Sequence, residues 1–409
     1  MSLLRALLAS AAVVGLLAGA ELKMEPGSFL AHEWGTFTSV ADEDGSAVEW
    51  ATLLGPADLP CFVTRARDIR KWAAPGLVRM ETPVLYFYAQ QPATVSVHVD
   101  FPRGLITEWY PNPLATTQQR QPEWDAAKSI DWTKVQLVPG KDLSYPMTDG
   151  ASRYYAARNT DATPLRIGEE QEKMIFYRGL GNFEPPLRAM YTNDGRLEIK
   201  NTGTQPIPFA IFFENQAGAL GYRIAEPVGD TAMPVGDTAM PVGGTAMMEP
   251  PELNRDLAAI QQTLVTRLTG LGLYPKEARA MVDTWADSWF TEGARVLYIV
   301  PRATVDSVLP LTITPVPREI RRVFVGRMEV LSPATKRLIT HAVRSGDNET
   351  LTALGRFLEP FVAQMQRTDK EFVLSPAVRG YLRAIATGRS VGDSEYGQIL
   401  EAPGSNCIP

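Results

Sequence analysis

The chain has 409 residues, 45% of them hydrophobic and 21% charged, with 40 Lys and Arg against 46 Asp and Glu and a formal net charge of -6. These values suit a globular protein of two or three domains with a large core. An acidic chain without a dense Lys/Arg cluster lacks the electrostatic footprint of a nucleic-acid binder, so nucleic acid is excluded as an expected partner.

At the N-terminus Arg5 is the only charge before the apolar run Ala6–Ala20, which ends in Ala18-Gly19-Ala20. That order predicts a secretory signal peptide over residues 1–20, cleaved after Ala20. The run is shorter than the ~20 residues that span a bilayer, and no cysteine follows it for lipid attachment. No later segment is long and apolar enough to cross. The mature protein is therefore expected to be secreted or periplasmic, without a membrane span.

Residues 21–225 read as a β-sandwich domain. Period-2 alternation predicts strands at Phe29–Val40, Val78–Ala89, Thr94–Phe101, Lys173–Arg178, Arg188–Tyr191, Leu197–Asn201 and Ile207–Glu214, separated by Pro, Gly and Asn turns. In the third of these, Val95, Val97 and Val99 point one way, and Thr94, Ser96, His98 and Asp100 the other. Many strands without intervening helices favour an antiparallel sandwich. Gly179-Leu180-Gly181 lacks the third glycine and the helix of a dinucleotide site and reads as a turn.

Residues 226–251 contain a seven-residue tandem repeat, Pro227–Met233, Pro234–Met240 and Pro241–Met247. Pro and Gly in every copy oppose helix and ladder alike and predict a surface loop or linker. Its methionines could bind a soft metal, but repeat slippage in a tolerant loop is the favoured reading. From residue 252 to 409 the period becomes helical. Leu253, Leu257, Ile260, Leu264, Leu268 and Leu271 form one stripe, ended by Gly270 and Gly272, and a second helix runs from Pro275 to about Phe290 with Trp285 and Trp289 read as core. Strands at Ala294–Val300, Leu309–Thr314 and Arg321–Leu331 precede helices at Pro333–Val343, Glu349–Arg367 and Pro376–Thr387. The expected fold class is α+β, an N-terminal antiparallel β-sandwich followed by a mixed, helix-rich C-terminal region.

The chemistry is sparser. The three histidines are His32, His98 and His341. His341 lies among basic residues on a solvent-facing helix, whereas His32 and His98 sit on strands, with Asp100 on the face of His98. A two-His, one-carboxylate site for a divalent metal is the candidate cofactor site, and ordinary hydrogen-bonded histidines are the alternative. Eight tryptophans and the pairs Glu33-Trp34, Glu108-Trp109-Tyr110 and Glu123-Trp124-Asp125 suggest a carbohydrate site. Glycosidase chemistry needs two carboxyl groups at a set separation, one with a raised pKa, so Glu33, Glu81 and Glu108 are the candidate acids and bases. Trp34, Arg79, Trp109, Tyr110, Arg178 and Asn182 are the candidate substrate contacts. Adjacent strand residues point to opposite faces, so the alternative is indole inward and carboxylate outward. Cys61 and Cys407, the only cysteines, form one disulfide or remain two thiols. No G-x-S-x-G elbow or phosphate loop occurs.

The segments Ala31-His-Glu-Trp-Gly-Thr-Phe-Thr-Ser-Val40, Glu81-Thr-Pro-Val-Leu-Tyr-Phe-Tyr88, Phe101-Pro-Arg-Gly-Leu105 and Arg322-Val-Phe-Val-Gly-Arg327 resemble those of uncharacterised exported bacterial proteins. The resemblance implies export and brings no activity or catalytic residue with it. Two functions are expected: a secreted or periplasmic hydrolase of an extracellular or envelope polymer, or of a small-molecule substrate, and a non-catalytic glycan- or protein-binding envelope protein.

Overall fold

A computed structural model of the chain describes residues 28–50, 52, 59–66, 76–114, 127–148, 152–225 and 239–387. The expected signal peptide, most of the first two repeat copies, Trp72, Trp124 and Cys407 lie outside these residues. The first strands are β1 (Phe29–Val40), β2 (Thr64–Arg65), β3 (Val78–Ala89), β4 (Ala93–Asp100), β5 (Gly104–Tyr110) and β6 (Ser129–Leu137). Next come β7 (Leu165–Ile167), β8 (Glu170–Glu172), β9 (Ile175–Gly181), β10 (Leu187–Tyr191), β11 (Leu197–Asn201), β12 (Ala210–Gln216), β13 (Ala219–Ile224) and β14 (Thr245–Met248). Helices α1 (Leu257–Gly270), α2 (Pro275–Thr284) and α3 (Ala286–Trp289) lead to β15 (Gly293–Val300) and α4 (Arg302–Val308). Then follow β16 (Leu311–Thr314), β17 (Glu319–Val330), α5 (Pro333–Ser345), α6 (Asn348–Ala353), α7 (Leu358–Thr368) and α8 (Pro376–Thr387).

The protein is thus mixed α/β and sheet-rich in its N-terminal half. The largest sheet has nine strands in the order β13-β12-β15-β17-β1-β3-β9-β5-β2. Two smaller sheets have the orders β16-β4-β6-β7-β8 and β10-β11-β14. Among the described strands the pairings are antiparallel except β1 with β17, which run parallel. Strands before and after the repeat therefore share one sheet: β17 sits beside β1, and β15 beside β12. The wholly antiparallel arrangement expected from successive N-terminal strands missed this pair, because β17 joins from more than 270 positions away, and such pairing is set by tertiary packing rather than by local pattern.

Both faces of the nine-stranded sheet are covered, which is why its strands carry apolar residues at consecutive positions. One face presents Ala31, Phe37, Met80, Phe87, Tyr177, Phe212, Val296 and Phe324 to a core that also takes in Val95, Val97 and Trp132 of the five-stranded sheet and Leu197 and Ile199 of the three-stranded one. The opposite face presents Trp34, Val84, Tyr86, Phe176, Ile211, Leu297 and Val325 to α1, α2 and α3. A third cluster joins Val40 and Trp50 to α5, α6, α7 and α8.

Two local expectations are corrected. Gly179-Leu180-Gly181 is the end of β9, not a turn; a Cβ on Gly179 would lie 2.1 Å from the Leu105 carbonyl oxygen, so glycine is required for close backbone approach. The third repeat copy is not wholly a loop. Its Thr245–Met247 begins β14, which pairs with β11 and buries Ala246 and Met248. Pro and Gly act only at their own positions, and the Thr-Ala-Met-Met stretch between them and the next proline is free to pair.

Candidate functional site

On the helix-facing side of the nine-stranded sheet the apolar side chains give way, at one end, to a polar belt across six adjacent strands. It comprises Arg295 on β15, Arg327 and Glu329 on β17, Thr36 and Thr38 on β1, Arg79 and Glu81 on β3, Arg178 on β9 and Glu108 on β5. Register places them together. Arg295 is opposite Glu329, Thr38 is opposite both Arg327 and Arg79, Thr36 is opposite Glu81, and Glu108 is opposite Arg178. All are buried.

Pairing is irregular at this point in the sheet, with shifts between Trp34 and Thr36, Met80 and Val84, and Ile106 and Glu108. Bulges of this kind re-aim side chains. Thr82, inside the β3 irregularity, has φ of 49°, a left-handed conformation that costs a β-branched residue roughly 1–3 kcal/mol. Its Oγ1 lies 3.4 Å from Arg178 Nη2.

The ion pairs are unequally shared. Glu329 Oε1 accepts from Arg295 Nε at 2.8 Å and from Arg327 Nε at 2.6 Å. Arg295 also donates to the carbonyls of Trp289, Thr291 and Glu292 at 2.7–2.8 Å, which anchors it to the segment after α3. Arg327 Nη1 donates to Ser288 Oγ at 2.7 Å. Arg79 Nη1 donates to the Thr52 carbonyl at 2.6 Å, while its Nε lies 3.8 Å from Glu81. Glu81 is paired with Arg356 from the helical layer, whose guanidinium lies over the rings of Trp50 and Phe357. Glu108 accepts from Thr107 Oγ1 at 2.6 Å.

After these bonds, several buried donors around the belt still have no hydrogen-bond partner: Thr36, Thr38 and Thr52 Oγ1, Arg79 Nε, Arg327 Nη2 and Trp50 Nε1. Burial, with Arg178 and Arg356 beside it, pulls the Arg79 guanidinium down to about 10. Burial and the neighbouring Arg295 also lower Arg327 against the opposing pull of Glu329. Glu81 is lowered despite a burial that acts the other way, because Arg356, Arg79, Arg327 and Arg178 together favour its charge. A buried cation disfavoured by desolvation and like charge is stabilised by an added anion, and hydroxyl and guanidinium donors are the groups that bind one.

Of the residues expected from sequence, Arg79, Glu81, Glu108 and Arg178 converge here. Glu33 does not: it lies on the opposite face of β1, fully buried, accepting from Arg322 Nε at 2.5 Å and from the Tyr177 hydroxyl. Arg322 also reaches Asp306 at 2.9 Å. His32 and His98 do not share a site either. His32 lies on the helix-facing side, with Nδ1 2.9 Å from Glu277 Oε2. Glu277 also accepts from Tyr88 Oη and the Tyr274 N–H, both at 2.7 Å, the latter capping α2. Burial and this carboxylate push the Tyr88 phenol well up. His98, on the outer sheet, has Nδ1 2.7 Å from Asp131 and Nε2 3.1 Å from Asp100. Its two carboxylates occupy opposite ring nitrogens, and among the described residues no group of three His, Cys, Asp or Glu is placed to hold a metal.

The expected aromatic platform is corrected too. Trp34, Trp50, Trp109, Trp132, Trp285 and Trp289 are all buried, and Tyr110 packs on Phe62. Asn182 is exposed beyond β9, its N–H bonded to the Arg103 carbonyl at 2.7 Å. Cys61 is disulfide-bonded, and Cys407 lies outside the described residues. Arg295, Arg327, Glu329, Arg356 and the threonines were missed by sequence reasoning. The available signal was Arg327 and Glu329 two apart in an otherwise apolar strand, on the face of Val323 and Val325.

His98 supplies a direct titration test. Its hydrogen bond to Asp131, and secondarily Asp100, raises it above the ordinary value of about 6.5. The stabilisation this brings is full below that value and is lost as pH rises through the raised one. An NMR titration of the imidazole is expected to give a midpoint above 6.5 that falls in Asp131→Asn; a midpoint at or below the ordinary value contradicts the pairing.

No family model matches the chain, and no curated protein matches it. Among solved structures it is similar to the yeast delta-COP-I mu-homology domain, at 9% identity and a TM-score of 0.23, over 75% of this chain and 97% of that one. A TM-score of that size carries no argument about fold or activity. Among the described residues no helix is long and apolar enough to cross a membrane.

Proposed function

We propose that this is an exported binding protein, built on a β-sandwich backed by helices, whose arginine–threonine belt takes up the carboxylate, sulfate or phosphate group of an extracellular or envelope ligand. The observation that carries this reading is the set of buried donors left without a hydrogen bond on Thr36, Thr38, Thr52, Arg79 and Arg327, which strand register and the Arg79–Thr52 bond bring together. Arg356, partly exposed at the rim, gives the anion its access. Export rests on the N-terminal pattern and on the resemblance to exported bacterial proteins.

Binding is favoured over acid–base hydrolysis because glycosidases need one carboxyl held up by its surroundings, whereas Glu81 in the belt is held down, despite its burial, by Arg356, Arg79, Arg327 and Arg178. Hydrolysis of an anionic polymer is the second reading, favoured by Glu81 and Glu108 sharing one face, with Glu81 held ionised as a base or nucleophile must be. Polymer turnover abolished by Glu81→Gln and Glu108→Gln would establish it.

For binding, the test is denaturation with phosphate, sulfate and citrate against chloride at matched ionic strength. An anion at 100 times its Kd is expected to stabilise the protein by about 2.7 kcal/mol, and the isosteric Thr38→Val variant and the shorter, uncharged Arg79→Gln variant should lose that increment. Equal stability in all four salts overturns the reading.

A further inference from the structure

The outer layer is divided into two sheets, and a cavity of about 390 Å³ opens near the Arg103 turn, the β10 and β11 segments and α4. Its wall includes Arg103 from the turn after β4, Glu184 and Arg188 from the β9–β10 region, Thr202 after β11, and Thr304 and Ser307 on α4. Pro185, Pro186 and Val308 supply an apolar floor. This volume falls in the range of small-molecule sites.

The cleft is built from both sides. Arg103 is held over the Phe183 ring at 5.6 Å, and its carbonyl is fixed by the Asn182 N–H at 2.7 Å. Across from it, the N–H groups of Thr202 and Gly203 donate to the Pro186 carbonyl at 2.9 and 3.2 Å. A Cβ on Gly203 would come within 2.8 Å of Pro186, so glycine lets this loop lie flat on the floor. Two guanidiniums and one carboxylate leave the wall with one positive charge. Asp44, whose carboxyl is engaged by Ser46, feels Arg188 from outside the wall.

We propose that this cleft binds a hydroxylated monocarboxylic acid of the uronic-acid type, independently of the buried belt. A single excess charge matches a monoanion, and guanidinium forks suit carboxylate geometry. Glu184 and the hydroxyls of Thr202, Thr304 and Ser307 offer acceptors and donors to sugar hydroxyls. The proline floor meets the C–H face of the ring.

The test is calorimetric titration of the full chain with D-glucuronate, oligogalacturonate, D-glucose and acetate. D-Glucuronate or oligogalacturonate is expected to bind at least about tenfold tighter than glucose or acetate, the cost of one lost charge-assisted contact. Binding of the monosaccharide assigns the cleft to free acids; binding of the oligomer alone assigns it to polymer chains. Arg103→Ala and Arg188→Ala, both at exposed positions, should each weaken that binding about tenfold or more while the melting temperature stays put. Glucose binding as tightly as glucuronate, no binding of either acid, or indifference to both substitutions overturns the proposal.

Discussion

Glu329→Ala is expected to destabilise the protein by about 3–5 kcal/mol, the cost of stripping a buried carboxylate from its cation. One oxygen of Glu329 serves both Arg295 and Arg327, each almost wholly buried. Without it two guanidiniums face each other in the sheet with no anion between them. Arg295 keeps its three backbone acceptors, so the loss falls mainly on Arg327. Glu329→Gln retains an acceptor but not the charge and should fall between. Urea denaturation followed by tryptophan fluorescence measures both. A loss below about 1 kcal/mol for the alanine variant would mean that the pairs contribute no more than surface bridges do. If the belt binds anions, added phosphate should recover part of the Ala loss, because the incoming charge replaces the missing one.

Glu33→Ala carries the second large effect, of the same order, about 3–5 kcal/mol. Here Arg322 loses its buried partner and Tyr177 its acceptor, on the face of β1 turned away from the belt. The position was a candidate acid from sequence, and the two roles separate cleanly. A catalytic Glu33 would lose turnover in Glu33→Gln with stability largely kept, whereas a structural one loses stability and leaves anion binding unchanged in whatever fraction remains folded. The structural role also accounts for its dipeptide neighbour: Trp34 packs against Tyr86 beneath the helices while Glu33 points the other way.

These two residues mark where sequence was informative and where it was not. Strand alternation located β1 and β3 to their end residues and β15 within one, because apolar runs bounded by turn residues are local signals. The starts of α2 and α5 were legible from Pro275 and Pro333, but the single helix expected from Pro275 to about Phe290 is broken at Trp285 into α2 and α3. Strand β5 was not: Glu108-Trp109-Tyr110 was read as a ligand motif rather than as Trp109 in one core and Tyr110 in the other. The belt was half visible. Arg79 and Glu81 share a face by simple alternation, but their meeting with Arg327 and Glu329 depends on the parallel pairing of β1 with β17, and with Arg356 on the placement of the helical layer. Neither leaves a trace in local spacing. His32 likewise found its carboxylate, Glu277, on a helix 245 positions away.

The central claim, that the belt is an anion site, is most directly tested by anomalous diffraction from crystals soaked in selenate. A selenium peak is expected that places selenate oxygens within hydrogen-bonding distance of Arg79, Arg327 and the Thr38 hydroxyl, and it should be absent in Thr38→Val or Arg79→Gln crystals. Well-ordered crystals in which selenate appears only elsewhere on the molecule would contradict it.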